Sequence, residues 1–175
     1  MSVESVHTAD LDPRELEAAR AMVFDAFGGR FDQIDWRHSL GGIHVISRDA
    51  AGVIDGHSAI VARSFRHGSR QLRCGYVEGV AVRSDRRRRG IGDALMERTN
   101  AIVTHGYEIG GLGATNEGAR LYARHDWTEW RGRLAAFGPA GAESVSGGWV
   151  WVFDPHSLLD VTEPLTCDWR DGDRW

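Results

Sequence analysis

The 175-residue chain is poor in cysteine and proline, with two and four residues respectively. Cys74 and Cys167 stand far apart and form neither a redox pair nor a zinc-binding spacing, so they are expected as buried or idle thiols in a reducing cytoplasm. Excess positive charge is also missing. The formal net charge is −4, so no overall field draws the protein toward nucleic acid or an anionic membrane. Nothing approaches the ~18 consecutive apolar residues that cross a bilayer. The N-terminus, MSVESVHTADLD, has no basic segment ahead of an apolar one, so a secretory leader is not expected. The nucleotide loops G-x-x-x-x-G-K-[ST] and G-x-G-x-x-G are both lacking; Gly111-Leu112-Gly113 meets Asn116 where a third glycine should stand. The histidines show no ligand spacing, so no metal is expected. With 42% hydrophobic residues and no shift in composition, the chain reads as one domain over residues 1–175, located in the cytoplasm.

What is present begins with a helix. Asp12 fits its N-cap, Pro13 its first position and Glu15 the third position of a capping box. Leu16, Ala19, Val23 and Phe27 then recur at helical spacing until Gly28-Gly29. The polar and aromatic stretch RFDQIDWRHSLGG reads as a loop or short helices. Ile43–Ser47 and Val53–Arg63 read as a hairpin, and Leu72–Val82 as a third strand. From Val77 to Val82 that strand is almost wholly apolar, as for a strand covered on both faces. Ile91, Ala94, Leu95, Arg98 and Ile102 trace a helix face, with the arginine stem lying over apolar surface. Tyr107–Leu112 and Trp149–Phe153 suggest strands, and Glu117–Arg124 a helix. Antiparallel strands followed by strand–helix–strand predict a mixed α/β sheet.

Between Val82 and the helix opening near Gly90 stand four consecutive arginines, Arg86 to Arg89. A helix start exposes unpaired N–H groups and partial positive charge, and glycines let an anion approach the backbone. Together they suggest a phosphate or pyrophosphate cradle. A solvated basic turn and a nucleic-acid contact are the alternatives, the latter poorly matched by one short cluster in an acidic chain. The pattern R-x-x-G-x-G, formed by Arg87, Gly90 and Gly92 after an apolar strand, resembles the acetyl-CoA pyrophosphate loop of the GNAT acetyltransferases. The resemblance implies an α/β GNAT fold: a mixed, mostly antiparallel sheet with a central splay, flanked by helices. It also implies acetyl-CoA as cosubstrate, held by Arg87, Arg88, Arg89, Gly90, Ile91 and Gly92, with pantetheine along Val80, Ala81 and Val82. The family pattern N-x-x-A-x-x-x-Y is matched at Tyr122 only, since Thr115 and Gly118 hold the asparagine and alanine positions.

Glu78 lies within the apolar strand, where an acid needs a partner or a function. It is the candidate base, suited by desolvation to take a proton from an amine, and pairing with an arginine is the alternative. Tyr122 is the candidate acid toward a departing thiolate, or else a core tyrosine. Asp32, Asp35, Asp168, Asp171 and Asp173, with Trp169 and Trp175, suggest a site for a polycation. A solvated loop and a frayed terminus would explain the same residues, although large aromatics are rare in frayed tails.

The stretches HTADL, D-W-x-H-x-LGG (Asp35 to Gly42), CGYVEGVAV and the terminal CDWRDGDRW together resemble the aminoglycoside 2′-N-acetyltransferases, from about His7 to Trp175. That resemblance implies that Asp32 and Asp35, Gly79, Asp173 and the carboxylate of Trp175 hold a cationic aminoglycoside. Glu78 acts as base through water, Tyr122 as acid, and the enzyme is a homodimer without nucleic-acid or membrane partners. Two departures bear on substrate. GLGATNEG replaces a serine-rich turn, leaving Gly113 without a serine contact, and AGAESVSGG carries only Glu143 where some relatives are acid-rich. The smaller, less cationic kasugamycin fits that change, so a kasugamycin-preferring enzyme and a GNAT acting on another small amine, such as a polyamine or a protein N-terminus, stay open. So does a CoA- or anion-binding module without turnover.

Overall fold

The computed structural model describes residues 1–138, 141–145 and 148–175. These form two compact units, Met1–Val61 with Val77–Ala101 and Ala62–Tyr76 with Ile102–Trp175.

In the first unit, β1 (Ser2–His7) pairs antiparallel with β2 (Ile43–Arg48), which pairs antiparallel with β3 (Ile54–His67). The end of β4 (Arg70–Val82) also belongs here, with α1 (Pro13–Phe27), α2 (Gln33–His38) and most of α3 (Ile91–Gly106). The Asp12 side chain caps α1 by accepting from Arg14 N–H at 2.8 Å, and Gly28 closes it in the left-handed conformation. Glu15 does not complete the expected capping box; its carboxylate takes Arg48 Nη2 at 2.7 Å instead. Leu11, Ala19, Met22, Val23, Phe31 and Trp36 fill the core beside α1, each large side chain contributing about 1.5–3 kcal/mol by burial. On α3 the buried residues are Ile91, Leu95, Met96, Thr99 and Val103, so the face is rotated from the expected one. Thr99 is inside because its hydroxyl meets Ser58 Oγ at 2.9 Å, whereas Arg98 is exposed and bonds Ser5. A Cβ on Gly56 would stand 2.7 Å from Ile91 Cγ2, so the missing side chain lets α3 lie directly on β3.

In the second unit the sheet order is β6 (Trp127–Glu129), β9 (Val150–Phe153), β5 (Ile109–Gly113), β4, β3, β10 (Leu165–Cys167), β7 (Leu134–Gly138) and β8 (Gly141–Ser144). β4–β5 and β10–β7 are parallel, while β5–β9, β6–β9, β10–β3 and β7–β8 are antiparallel. The parallel β4–β5 register runs from Cys74↔Ile109 to Tyr76↔Gly111, although β4 continues to Val82. This is the mixed sheet that the strand pattern predicted, mostly antiparallel as the GNAT resemblance implied. Cys74 and Cys167 are buried free thiols, as expected. Among the described residues no helix is long and apolar enough to cross a membrane.

The elements β1, β6, β7, β8 and β10 were not expected. Each is short, from three to six residues, too short for a clear alternation. The end of β4 is also not covered on both sides. Val77, Gly79 and Ala81 are buried, while Glu78, Val80 and Val82 are only partly covered.

Candidate active site

Glu78 sits on the half-covered side of β4, immediately before a break in its pleat. Gly79 has φ +56°, a left-handed conformation inside a strand that costs a residue with a Cβ about 1–2 kcal/mol. Its carbonyl accepts from the buried His57 Nδ1 at 2.8 Å. Val80 and Val82 continue the same partly covered side toward the arginine loop.

The arginines divide by role. Arg86 is paired with Asp49 at 2.9 Å, and Arg87 donates to Ala26 O at 2.9 Å, tying the loop to the end of α1. Arg88 and Arg89 are exposed and make no ion pair among the described residues. Arg88 and Gly90 both have positive φ, +61° and +79°, and a Cβ on Gly90 would meet nothing within 4 Å. The Ala94 N–H to Gly90 O bond of 3.0 Å starts α3, so the amides just after Gly90 precede the first helical acceptors. Open backbone, unpaired guanidinium groups and a helix start on one loop fit a pyrophosphate.

Asp32 and Asp35 form a capping box on α2: Asp32 Oδ1 accepts from the N–H groups of Ile34 and Asp35 at 2.7 and 3.0 Å, and Asp35 Oδ2 accepts from Asp32 N–H at 2.9 Å. The stretch left open as a loop or short helices is thus a capped helix. Each carboxylate keeps one oxygen beyond its cap. Below α2, Trp36 lies on His44 and His57, ring centroids 6.1 and 5.6 Å away.

Tyr122, Asp173 and Trp175 lie in the second unit. Tyr122 is buried on α4 (Ala119–Arg124), and burial holds its hydroxyl well above the usual phenol range. The phenol therefore keeps its proton throughout neutral pH. Its ring covers Gly118, where a Cβ would stand 2.8 Å from Cε2; the glycine in place of the family's alanine makes room for the ring. The tail is docked. Arg63 donates to Asp168 Oδ1 at 2.8 Å, to Asp168 O at 3.0 Å and to Arg174 O at 2.8 Å, so Asp168 anchors the tail. Asp173 Oδ1 accepts from Trp175 N–H at 3.2 Å. Trp175 is 4% exposed and packs on Phe65 at 5.2 Å, whereas Trp169 is half exposed. A Cβ on Gly113 would stand 3.2 Å from a main-chain oxygen of Trp175.

Among the described residues no group of histidine, cysteine and acidic side chains is arranged to hold a metal ion. The buried His44–His57 pair escaped sequence reasoning. Its signal lies in the register: Ile46 opposes His57 and His44 opposes Ala59, which makes the histidines diagonal neighbours on one sheet face.

A basic loop with open backbone directly after an acid-bearing strand fits an acetyltransferase of the GNAT class. The family model of the acetyltransferase (GNAT) domain matches residues 40–129. An aminoglycoside 2′-N-acetyltransferase from Mycolicibacterium fortuitum is 40% identical, with 97% of this chain and 90% of that protein covered. The fold is similar to that of Escherichia coli ElaA, with a TM-score of 0.60 at 14% identity over 87% of this chain and 98% of that one. It is also similar to Eis1 from Mycobacterium abscessus, with a TM-score of 0.60 at 20% identity over 73% of this chain, which spans only 31% of that longer protein. The chain belongs to the aminoglycoside 2′-N-acetyltransferase family of the GNAT acetyltransferases.

Proposed function

We propose that residues 1–175 act as a single cytoplasmic acetyltransferase domain, working as a homodimer, that acetylates the 2′-amine of an aminoglycoside-type antibiotic and so gives resistance. The observation that carries this reading is the partly covered row Glu78, Val80 and Val82, interrupted by Gly79 and leading into the Arg88–Gly92 loop. Acetyl-CoA supplies the acetyl thioester. The loop from Arg87 to Gly92 holds its pyrophosphate, with Arg87 acting chiefly through its hold on Ala26, and Val80, Ala81 and Val82 offer backbone to the pantetheine. Glu78 takes the proton of the amine through water and so frees its lone pair for attack. Tyr122 meets the departing thiolate as an O–H donor, because burial keeps its proton in place. Asp32, Asp35 and Asp173 offer carboxylate oxygens to ammonium groups, Gly79 the turn that sets Glu78 against the amine, and Trp175 a buried wall.

A second reading, preference for kasugamycin, is favoured by Gly113. A side chain there would press on Trp175, so the glycine preserves the seat of the tail and forgoes a serine contact. The stretch Ala140–Gly148 supplies only the exposed Glu143, and its Ala140, Ser146 and Gly147 lie outside the described residues. Each lost charged hydrogen bond weakens a polycation by about 1.5–3 kcal/mol. The test is CoA release, followed with a thiol reagent against kasugamycin, 2-deoxystreptamine aminoglycosides with and without a 2′-amine, and spermidine. Turnover confined to 2′-amine compounds is expected, and the preferred one decides the branch. Turnover of spermidine alone would sink the antibiotic assignment.

A further inference from the structure

A chain of hydrogen bonds that no catalytic role accounts for crosses the interior of the first unit. Gly41 N–H donates to Thr8 Oγ1 at 3.0 Å, and Thr8 Oγ1 meets His44 Nε2 at 2.8 Å. His44 Nδ1 meets His57 Nε2 at 2.9 Å, and His57 Nδ1 meets Gly79 O at 2.8 Å. Both rings are fully buried. The last acceptor sets the direction of the whole chain. A carbonyl only accepts, so His57 carries its proton on Nδ1 and accepts at Nε2. His44 must then carry its proton on Nδ1 too, and its Nε2 takes the hydroxyl proton of Thr8, which also lies 3.2 Å from Gly42 O. Burial lowers the pKa of His44 to about 4 and of His57 to about 3, so neither ring gains a second proton at neutral pH.

The chain ends at the one residue of β4 with left-handed backbone, directly after Glu78. A buried carbonyl with its donor removed costs about 1–3 kcal/mol, enough to let the peptide rotate. In a planar trans peptide the Gly79 C=O and the Val80 N–H point in opposite directions. Holding that carbonyl therefore aims the Val80 N–H away from His57. It also fixes the turn that presents Glu78. A Cβ on Gly79 would stand 3.4 Å from His57 Nδ1, so the ring and the turn are packed together.

We propose that His57, oriented by His44 and Thr8, is a positioning residue for acetyl transfer: it locks the Gly79 peptide and thereby sets Glu78 and the Val80 amide. This rests on the acetyl-transfer reading of Glu78 and Gly79. The test joins kinetics to imidazole ¹⁵N NMR. In the wild type both rings are expected as the Nδ1–H tautomer, unchanged from about pH 8 to about pH 5.5. His57→Leu is expected to lower kcat about tenfold or more, with the KM of the aminoglycoside changed by less than about threefold. His57→Asn, whose amide N–H replaces Nδ1–H, is expected to return kcat to within about threefold of wild type. A His57→Leu variant that folds and keeps kcat within about twofold overturns the proposal, as does an asparagine variant slowed about tenfold or more. An Nε2–H tautomer at His57 overturns it as well. If His57→Leu does not fold, the asparagine variant and the wild-type tautomer decide by the same criteria. A wild type that turns over no 2′-amine compound sinks the acetyl-transfer reading, while the tautomers still decide the His57–Gly79 bond.

Discussion

The role proposed for Glu78 follows from its neighbours. The chain before and after it is apolar, the glycine that follows turns the backbone, and its side of β4 is left partly uncovered. Glu78→Gln keeps the shape and removes the proposed base. It is expected to lower kcat by about 10²–10⁴-fold while the Kd of acetyl-CoA, measured by calorimetry, hardly moves. Full activity near pH 7 would assign the base elsewhere. Glu78 was legible because a lone acid in an apolar strand is conspicuous. The Gly79 conformation and the His57 bond behind it were not, since they depend on which strands pair and in what register. The same histidines contribute to the pH dependence of stability. Their folded pKa values lie below the ordinary value of about 6.5, so their contribution is present above pH 6.5 and is lost as pH falls toward about 4 and about 3. Urea titrations are expected to show roughly 2 kcal/mol lost per histidine between about pH 7 and pH 5, and a flatter profile in a His44→Asn/His57→Asn double variant.

At the scale of elements, the long segments with clear punctuation were readable. Asp12-Pro13 and Gly28 mark α1, the hairpin of β2 and β3 follows from its turn, and β4 matches the third strand within two residues. What escaped are short strands and choices set by tertiary partners: Glu15 leaving its cap for Arg48, Thr99 turned inward by Ser58, Arg87 spent on α1. The tail shows the same limit. By residue type alone its acids are equivalent, yet Asp168 is taken by Arg63 while Asp173, the one the resemblance singles out, stays exposed. Deleting Trp175 is expected to raise the KM of the antibiotic about tenfold or more, by loss of a buried aromatic wall, with acetyl-CoA binding unchanged. Steady-state kinetics beside an acetyl-CoA titration separates the two effects. Equal loss of both would mean that the tail holds the second unit together and does not contact substrate.

For the molecule as a whole, the net charge and the arginine loop are opposite in sign. The net charge is −4 while the Arg86–Arg89 loop is locally basic, so under the proposed function the overall field favours a polycationic drug and the loop an anionic cosubstrate. Raising ionic strength from about 0.05 to 0.5 M, which shortens the screening length roughly threefold, is expected to raise the KM of a 2-deoxystreptamine aminoglycoside several-fold. The same change should move the KM of kasugamycin less and leave kcat nearly constant; equal salt effects on both would argue against carboxylate recognition. The most direct test of the central claim is the position of the new acetyl group. Product from an aminoglycoside bearing several amines would be isolated and its amide protons assigned by two-dimensional NMR. The account predicts a single acetamide on the 2′-nitrogen. An acetyl group on any other nitrogen, or on a hydroxyl, would contradict it.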